Sequence, residues 1–214
     1  MFYLMFIRHL PGNFGIILRR NYYKSKFKSC GSGLVIGVGV IIDGEDLITI
    51  GNNVVIDSYS IIATSKILIG DIRIKQNKFD ILPMGEIHIG DNVHLVQYCV
   101  IMGHGGIVIK NNSTLSACTK LYSMSNLAYD PDKRDLITSI MPYSQAIFIV
   151  SQIVMEENVW LGLNTIVMPG VRIEKNSFSV ANSVIINSFE ENSYLKGNPA
   201  IKIKNRFVNE KHIG

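Results

Sequence analysis

The stretch MEENVWLGLNTIVMPGVRIEKNSFSVANSVI, from Met155 to Ile185, carries the clearest regularity in the chain. One register recurs at every sixth position and is apolar at five of six places: Met155, Leu161, Val167, Ile173, Ser179 and Ile185. A period of six fits neither an α-helix, which repeats every 3.6 residues, nor a strand, which alternates every two. It predicts short extended segments joined by tight turns.

The same step of six occurs upstream in four shorter registers: Ile36 and Ile42; Ile50, Ile56 and Ile62; Ile89, Leu95 and Ile101; Ile109, Leu115 and Leu121. Three such units predict a triangular coil of about eighteen residues, with one inward aliphatic side chain on each edge. Turn sequences such as Gly51-Asn52-Asn53 and Gly90-Asp91-Asn92 fit the corners. The alternative is a β-sandwich, which has no reason to keep a step of six over thirty residues.

The register slips at three places. Eight residues separate Ile101 from Ile109, which predicts an enlarged corner at positions 102–106. A second interruption runs from Gln76 to Met84, and the largest lies between Ser123 and Gln152. Excursions from a regular coil are where a binding wall or lid is expected.

Composition narrows the class of protein. Hydrophobic residues make up 47% of the 214 residues and charged residues 18%, which indicates a large core and argues against disorder. The net charge of +4 is modest, and the basic residues gather near the two ends, which does not suggest nucleic-acid binding. Three cysteines without a CxxC pair favour a reducing cytoplasm over a disulfide framework or a zinc site.

The first eighteen residues are apolar but are interrupted by Arg8, His9, Pro11 and Gly12. The run is too short to cross a bilayer, and no small-residue cleavage site follows. We therefore predict neither a transmembrane helix nor a signal peptide.

The C-terminal third carries a family resemblance. ENVWLGLNTIVMPGVRI (157–173), NSVIIN (182–187) and GNPA (197–200) resemble the last coils of the hexapeptide-repeat acyltransferases. LPGNFGIILRRNYYKSKFKSCG (10–31) and GHGGIVI (103–109) resemble the maltose-acetyltransferase-like O-acetyltransferases of bacterial capsule and O-antigen biosynthesis.

This resemblance implies an all-β fold, a left-handed parallel β-helix, over residues 32–200. Residues 1–31 are then an N-terminal flanking segment, an excursion occupies about 123–152, and 201–214 form a basic C-terminal tail. It further implies a homotrimer with active sites between subunits, acetyl-CoA as co-substrate, no metal, and a saccharide acceptor. The expected location is the cytoplasm, with the inner face of the membrane as an option if the acceptor is lipid-linked.

His104 is the predicted general base. Acetyl transfer from a thioester to a hydroxyl requires removal of one proton, and a histidine titrates in the right range. Of the five histidines, His104 alone sits in the enlarged Gly103-His104-Gly105-Gly106 corner, where small residues let a substrate approach. His88 and His94 are expected to point outward, and the alternative for His104 is that it only caps a turn.

The chain departs from the family pattern at Asn126. Many relatives carry their histidine at the end of a segment resembling Tyr-Ser-x-Ser-His, which here reads Tyr122-Ser123-Met124-Ser125-Asn126. An asparagine is not a base, so Asn126, with Ser125 and Tyr122, is predicted to bind the sugar or orient the base. Asp130, Asp132 and Asp135 are candidates for a carboxylate beside the histidine.

The predicted CoA-binding residues lie in the last coils and the tail. The resemblance places pantetheine along Gly162, Asn164, Ala181 and Gly197, with Trp160 at its edge or in a subunit contact. Lys202, Lys204 and Arg206 are expected to meet the phosphates. The family usually has lysine directly after GNPA, where this chain has Ile201.

Residues 19–28 combine basic and aromatic side chains. They predict either a contact with an anionic membrane surface or a helix that caps the open end of the coil.

Three rival functions stay open at this point. One is N-acetylation of an amino-sugar, either free or linked to a nucleotide. The second is a β-helix protein resembling the γ-class carbonic anhydrases, which would need three zinc-ligating histidines that converge at a subunit interface. The third is a non-catalytic β-helix protein.

Overall fold

The computed structural model describes residues 2–66, 74–76, 78–128 and 146–207. The chain begins with two helices, α1 (Phe2–His9) and α2 (Gly12–Lys24). The first coil follows as β1 (Ser29–Cys30), β2 (Val35–Ile36) and β3 (Ile41–Asp43), and a 3₁₀ turn (Glu45–Leu47) leads to the second. The second coil is β4 (Ile48–Ile50), β5 (Val55–Ile56) and β6 (Ile61–Ala63).

A first excursion containing β7 (Ile74–Lys75) precedes the third coil, which is β8 (Ile87–Ile89), β9 (His94–Leu95) and β10 (Val100–Met102). The fourth coil is β11 (Ile107–Ile109), β12 (Thr114–Leu115) and β13 (Lys120–Tyr122). A second excursion contains β14 (Met124–Asn126) and β15 (Phe148–Val150).

The fifth coil is β16 (Ile153–Met155), β17 (Trp160–Leu161) and β18 (Ile166–Val167), and the sixth is β19 (Arg172–Ile173), β20 (Phe178–Ser179) and β21 (Val184–Ile185). The hairpin of β22 (Ser193–Gly197) and β23 (Ala200–Asn205) closes this end.

Three parallel sheets form the faces of the coil. Sheet A has the order β1-β4-β8-β11-β16-β19, sheet B the order β2-β5-β9-β12-β17-β20-β22-β23, and sheet C the order β21-β18-β13-β10-β6-β3. Each coil contributes one strand to each face in turn, so the prediction of a parallel β-helix is confirmed. The corner from A to B is called the first corner, B to C the second, and C to A the third.

The inward positions form continuous stacks, as the step of six predicts. On sheet A, Ile50 is paired with Ile89, Ile89 with Ile109, and Ile109 with Met155. Every member of the Met155–Ile185 register is fully buried, including Ser179, whose hydroxyl lies 3.0 Å from that of Thr165. Each buried aliphatic side chain contributes about 1.5–3 kcal/mol, which makes this stack the main source of stability.

The coil length changes along the chain. Ile87 pairs with Ile107, twenty positions on, whereas Val154 pairs with Arg172, eighteen positions on. The two additional residues of the third coil lie in its third corner, where the slip between Ile101 and Ile109 places them.

Asparagines line the first corner in a left-handed backbone conformation: Asn53, Asn92, Asn112, Asn158, Asn176 and Asn192, with φ between 54° and 62°. The amide of Asn53 donates to Asn92 Oδ1 (3.1 Å) and that of Asn92 donates to Asn112 Oδ1 (3.0 Å). Asparagine tolerates this backbone region better than most other residues with a side chain. The side-chain amides of successive coils form a ladder of hydrogen bonds along this corner.

Helix α2 covers the open end of the first coil. Its buried stripe is Gly15, Arg19 and Tyr23. The Arg19 guanidinium donates to Ile36 O (2.9 Å), Ile7 O (2.8 Å) and Leu10 O (2.7 Å), so one buried side chain joins both helices to the coil. Of residues 19–28, Arg19, Tyr23 and Phe27 are buried, which is consistent with packing of this segment against the coil.

Candidate active site

The third corner carries the irregular features of the molecule. Both excursions leave the coil there, the first between β6 and β8 and the second between β13 and β16. The Gly103–Gly106 corner lies between them, connecting β10 to β11. The second excursion folds β14 antiparallel on β15, and β15 pairs with β7 of the first excursion. The two excursions therefore share a small three-stranded sheet outside the β-helix, next to the corner that bears His104.

The glycines of this corner are required by close packing. A Cβ on Gly105 would lie 2.4 Å from Ser123 O and 3.0 Å from Ser151 N, both backbone atoms. A Cβ on Gly103 would lie 2.4 Å from the side chain of Ile87. Gly106 has a φ of +95°, a region that side-chain-bearing residues rarely adopt. His104 is therefore the single residue of the corner with a side chain.

Ser123 fixes the position of this corner from the coil above. It is fully buried; its hydroxyl donates to Met102 O (2.8 Å) and accepts from the Gly105 N–H (2.8 Å). These two hydrogen bonds fix the backbone before and after His104. The sequence did not reveal this role, because Ser123 is 18 and 21 positions from its partners and only the coil length brings them together.

The His104 ring lies half-buried, and its Nδ1 is buried with no hydrogen-bond partner. Burial lowers the pKa of His104 below its ordinary value of 6.5, because the charged imidazolium loses solvation. At neutral pH the ring is therefore uncharged and has a lone pair available to accept a proton.

The predicted acceptor-binding residues lie near this corner. Tyr122 ends β13 and is paired with Met102, two residues before His104. Ser125 and Asn126 belong to β14, where Asn126 is exposed and paired with Phe148. Asp130, Asp132 and Asp135 lie outside the described residues, as does His212.

A pocket of about 310 Å³ opens on the outer face of sheet A, on the strands that follow the third corner. Ile81 and Leu82 of the first excursion form one wall, and His88, Val108 and Lys110 line the sheet side. Gln152 holds that wall in place: its Oε1 accepts from Ile81 N–H (3.1 Å) and its Nε2 donates to Leu82 O. The pocket is therefore lined by apolar side chains together with a histidine, a lysine, an asparagine and a glutamate.

The remaining described histidines lie on other parts of the molecule. His88 is exposed on sheet A, as predicted. His94 lies on sheet B, where its Nε2 is 2.9 Å from Asp57 Oδ2 of the coil below. His88, His94 and His104 thus lie on a face of sheet A, on a face of sheet B and at the third corner. Within one chain they do not converge.

Among the residues that the structure describes, no three His, Cys, Asp or Glu side chains are grouped as a metal site requires. Cys99 is fully buried, and burial raises the pKa of its thiol to about 12. It is therefore a packed side chain rather than a nucleophile.

Three of the predicted CoA-binding residues meet at the second corner of the last two coils. Gly162 follows β17, where a Cβ would lie 2.5 Å from Ser179 O. Its N–H donates to that same oxygen (2.9 Å), so Gly162 is fixed by coil packing. Asn164 donates to Asn182 (2.9 Å), and Ala181 is exposed beside it.

The other predicted residues lie on the outer face of sheet B. Trp160 is exposed and meets the edge of Phe178 at 5.5 Å, and Phe178 contacts Tyr194 at 5.0 Å. Lys204 lies 4.8 Å above the Tyr194 ring, and the Arg206 guanidinium lies 6.0 Å from the Phe178 ring. A cationic and aromatic surface results.

The basic side chains of the C-terminal tail differ in the partners that they already have within the chain. Lys202 is paired with Glu190 (2.6 Å), and Arg206 donates to the carbonyls of Asn158 (2.8 Å) and Ser177 (3.1 Å). Gly197, with a φ of +109°, ends β22 at the hairpin turn. Lys204, whose ammonium contacts a ring, is thus better placed than Lys202 or Arg206 to receive a phosphate.

The two groups of predicted residues are on different corners of the chain. His104 is at the third corner, whereas Gly162, Asn164 and Ala181 are at the second. Sheet C separates these corners; in the third coil six residues connect Tyr98 to His104, about 20 Å at ~3.3 Å per residue. One chain does not bring the predicted base and the predicted cofactor site together.

Comparisons with known proteins confirm the resemblance seen in the sequence. No family model matches the chain. A putative acetyltransferase of Saccharomyces cerevisiae, YJL218W, is 30% identical over 118 residues, 55% of this chain and 55% of that protein. The dTDP-4-amino-4,6-dideoxy-D-glucose acyltransferase of Escherichia coli is 26% identical over 180 residues, 84% and 83% of the two chains.

A putative lipopolysaccharide biosynthesis O-acetyl transferase of Escherichia coli K12, WbbJ, is 29% identical over 59% of this chain and 64% of its own. The match thus spans about half the length of the yeast protein and somewhat more of WbbJ. The relatives are acetyltransferases and acyltransferases, including proteins named for sugar substrates.

Solved structures show the same fold. The N-acyltransferase AntD of Bacillus cereus, in complex with dTDP-4-amino-4,6-dideoxyglucose and coenzyme A, superimposes with a TM-score of 0.70 at 22% identity over 89% of each chain. A maltose O-acetyltransferase of Clostridium difficile gives a TM-score of 0.58 at 19% identity, covering 95% of this chain and 82% of its own. The solved structures thus share the β-helix fold of this chain, and the relatives found by sequence are named as acetyltransferases and acyltransferases.

Proposed function

We propose that this protein is an acetyl-CoA-dependent acyltransferase that acetylates a sugar hydroxyl in the biosynthesis of a surface polysaccharide. The observation that carries the proposal is the third corner, where a half-buried, uncharged histidine stands between close-packed glycines and two excursions. The relatives named for sugar and lipopolysaccharide substrates support the choice of acceptor.

In the proposed reaction, His104 takes the proton of the acceptor hydroxyl as its oxygen attacks the thioester carbonyl. The C–O bond forms, the tetrahedral intermediate collapses, and the C–S bond breaks to release CoA, whose sulfur receives the proton. The thioester is already activated, so no covalent enzyme intermediate is needed. Tyr122, Ser125 and Asn126 are proposed to bind the sugar.

The oxyanion of the intermediate needs a hydrogen-bond donor. At the corner, the N–H groups of Gly103, Gly105 and Gly106 donate to Ala63 O, Ser123 Oγ and Gly103 O respectively. These three donors are already engaged. We therefore propose the exposed amide of Asn126 for this role.

N-acylation of an amino-sugar is the second candidate. A neutral amine brings its own lone pair to the thioester, so its attack depends less on a base. Asn126 in the place where many relatives have histidine suits such an acceptor. A relative that matches 84% of this chain is named for a dTDP-linked amino-sugar.

We place CoA along the second corner and sheet B, on Gly162, Asn164, Ala181 and Gly197, with Lys204 as the leading phosphate contact. Trp160 flanks this path, and Lys202 and Arg206 add positive charge near it. Because this path is about a sheet width from His104, a complete site requires a neighbouring subunit. A homotrimer, which the resemblance implies, supplies one.

Only some side chains of residues 19–28, the segment predicted to contact a membrane, are exposed. Arg19, Tyr23 and Phe27 are buried, whereas Lys24 and Lys26 are exposed. Among the described residues, no helix combines the length and apolar character that spanning a bilayer demands. We propose that the protein works at the inner face of the cytoplasmic membrane on a saccharide that is lipid-linked.

The test is an acetyl-transfer assay with purified protein, acetyl-CoA and a panel of sugars, amino-sugars and their nucleotide-linked forms. We expect thiol release that depends on an acceptor, and a product whose acetyl group is lost in mild alkali, as an ester is. An alkali-stable product would identify the amide and the second candidate. His104→Ala should lower kcat/KM at least about a hundredfold for a hydroxyl acceptor, while His9→Ala, which changes an exposed histidine at the end of α1, serves as the matched control. Near-normal turnover by His104→Ala would remove the assignment of the base.

A further inference from the structure

The N-terminal helices expose an apolar surface that the β-helix does not use. Tyr3, Met5 and Phe6 on α1 and Phe14 and Ile17 on α2 are each at least 42% exposed, and Phe6 and Phe14 reach 64% and 65%. These five large side chains fall within fifteen consecutive residues. Such a concentration differs from the scattered single apolar residues of an ordinary surface.

The helices already have a separate packing side. On α2 the buried residues are Gly15, Arg19 and Tyr23, while Phe14, Ile17, Asn21 and Lys24 follow each other on the exposed side at steps of three and four. On α1, Ile7 is buried and Leu4 half-buried, whereas Phe6 is exposed. Tyr3 packs against Tyr22, at 6.1 Å between ring centroids, whereas Phe6 and Phe14 lie on the exposed side of their helices.

The charge of the protein is concentrated in the same segment. The first 42 residues contain six Lys and Arg and no Asp or Glu, so they carry a formal charge of +6. The rest of the chain has 15 basic and 17 acidic residues, a formal charge of −2. The cap alone makes the protein basic, and on it the exposed Lys24 and Lys26 accompany exposed aromatic side chains.

We infer that α1 and α2 insert their apolar surface into an anionic lipid bilayer, with Phe6 and Phe14 as the main anchors and the basic residues at the level of the headgroups. Short amphipathic helices with aromatic residues and lysines bind membranes in this way. The inference rests on the proposed function and deepens it, since it orients the β-helix with its first coil toward the membrane. It also moves the main contact from residues 19–28 to residues 3–17.

The test is flotation of the purified protein with vesicles of phosphatidylcholine alone and with vesicles that also contain anionic phosphatidylglycerol. We expect binding to the anionic vesicles that persists in part at high salt, because the apolar contribution is not screened. The double variant Phe6→Ser/Phe14→Ser should bind at least about tenfold more weakly. Ile186→Ser, an exposed apolar residue at the far end of the coil, is the matched control and should bind like the wild type.

Equal binding by the wild type and the double variant, or no flotation with either vesicle, would overturn the inference. Loss of the oligomer in the double variant, seen by light scattering, would also overturn it, because the surface would then contact a second copy. Circular dichroism of the double variant checks that it is folded. Acetyl transfer to a water-soluble acceptor is measured in parallel, so a failure of membrane binding is distinguished from a failure of the proposed activity.

Discussion

At the scale of the residue, the ionisation of His104 determines how activity should depend on pH. A base acts when it is neutral, and burial lowers the pKa of His104 below 6.5. The value of kcat/KM for a hydroxyl acceptor should therefore rise with pH along one limb whose midpoint lies below 6.5, and then reach a plateau. A rate profile between pH 4.5 and 8.5 measures this limb. A limb centred well above 6.5 would assign the base to another group.

The glycines beside His104 permit a paired comparison. In Gly105→Ala the new methyl group meets the backbone oxygen of Ser123 at 2.4 Å, and backbone cannot move aside cheaply. In Gly103→Ala it meets the side chain of Ile87, which can adjust. We expect Gly105→Ala to lose about 2 kcal/mol of unfolding free energy and most of kcat, and Gly103→Ala to lose about 1 kcal/mol. Urea denaturation and steady-state kinetics give both values, and the reverse order would contradict the packing described here.

Ser123 is a positioning residue for the same corner. Ser123→Ala removes the acceptor of the Gly105 N–H and a donor to Met102 O, so the corner should move without a change in the chemistry of the base. We expect kcat to fall about tenfold with the KM for acetyl-CoA unchanged. The pH limb should keep its position, whereas a shift of the limb would show that Ser123 acts on the ionisation of His104 itself.

At the scale of the element, the asparagine ladder stabilises the first corner. Asn92 has a φ of 55° and both accepts from Asn53 and donates to Asn112. Asn92→Ala should cost about 1–2 kcal/mol, since it loses two exposed hydrogen bonds and leaves a methyl-bearing residue in a strained conformation. Asn92→Gly should cost less, because glycine adopts that conformation without strain. Equal losses in thermal or urea unfolding would show that strain is not part of the effect.

The helical cap depends on Arg19 in a similar way. Arg19→Met leaves the carbonyls of Ile7, Leu10 and Ile36 without their donor in a buried place, which should cost about 3 kcal/mol. Arg20→Met, one position on and half-buried, is the control and should change the unfolding free energy by less than about 0.5 kcal/mol. An equal effect of the two variants would mean that the cap is held by its apolar contacts alone.

The sequence predicted the coil well because its signal is local and repeated. Each inward residue from Met155 to Ile185 could be read from spacing alone, and the slip after Ile101 placed the enlarged corner. The role of Ser123 and the pairing of Asp57 with His94 could not be predicted, since these contacts join residues about twenty to forty positions apart. The burial of Arg19 was missed for the same reason: a basic segment reads as exposed until the carbonyls that surround the guanidinium are known.

In the whole molecule, the distance between two corners determines whether one chain can form a complete site. The predicted base is at the third corner of one chain, and the predicted CoA path is at the second, with sheet C between them. The hexapeptide repeat makes both sites rigid but cannot bend one toward the other. Assembly of several chains is therefore part of the proposed catalytic site rather than a means of stabilising the fold alone.

The activity of mixed oligomers tests this claim most directly. His104→Ala removes the base, and Ala181→Trp places a bulky side chain at an exposed position of the CoA path; each should be nearly inactive alone. Coexpressed with different tags and purified as mixed trimers and parents together, they should recover about a quarter of the wild-type activity, because each mixed trimer contains one interface with both native residues. Mixed oligomers as inactive as their parents, or an Ala181→Trp protein with an unchanged KM for acetyl-CoA, would contradict a site shared between subunits.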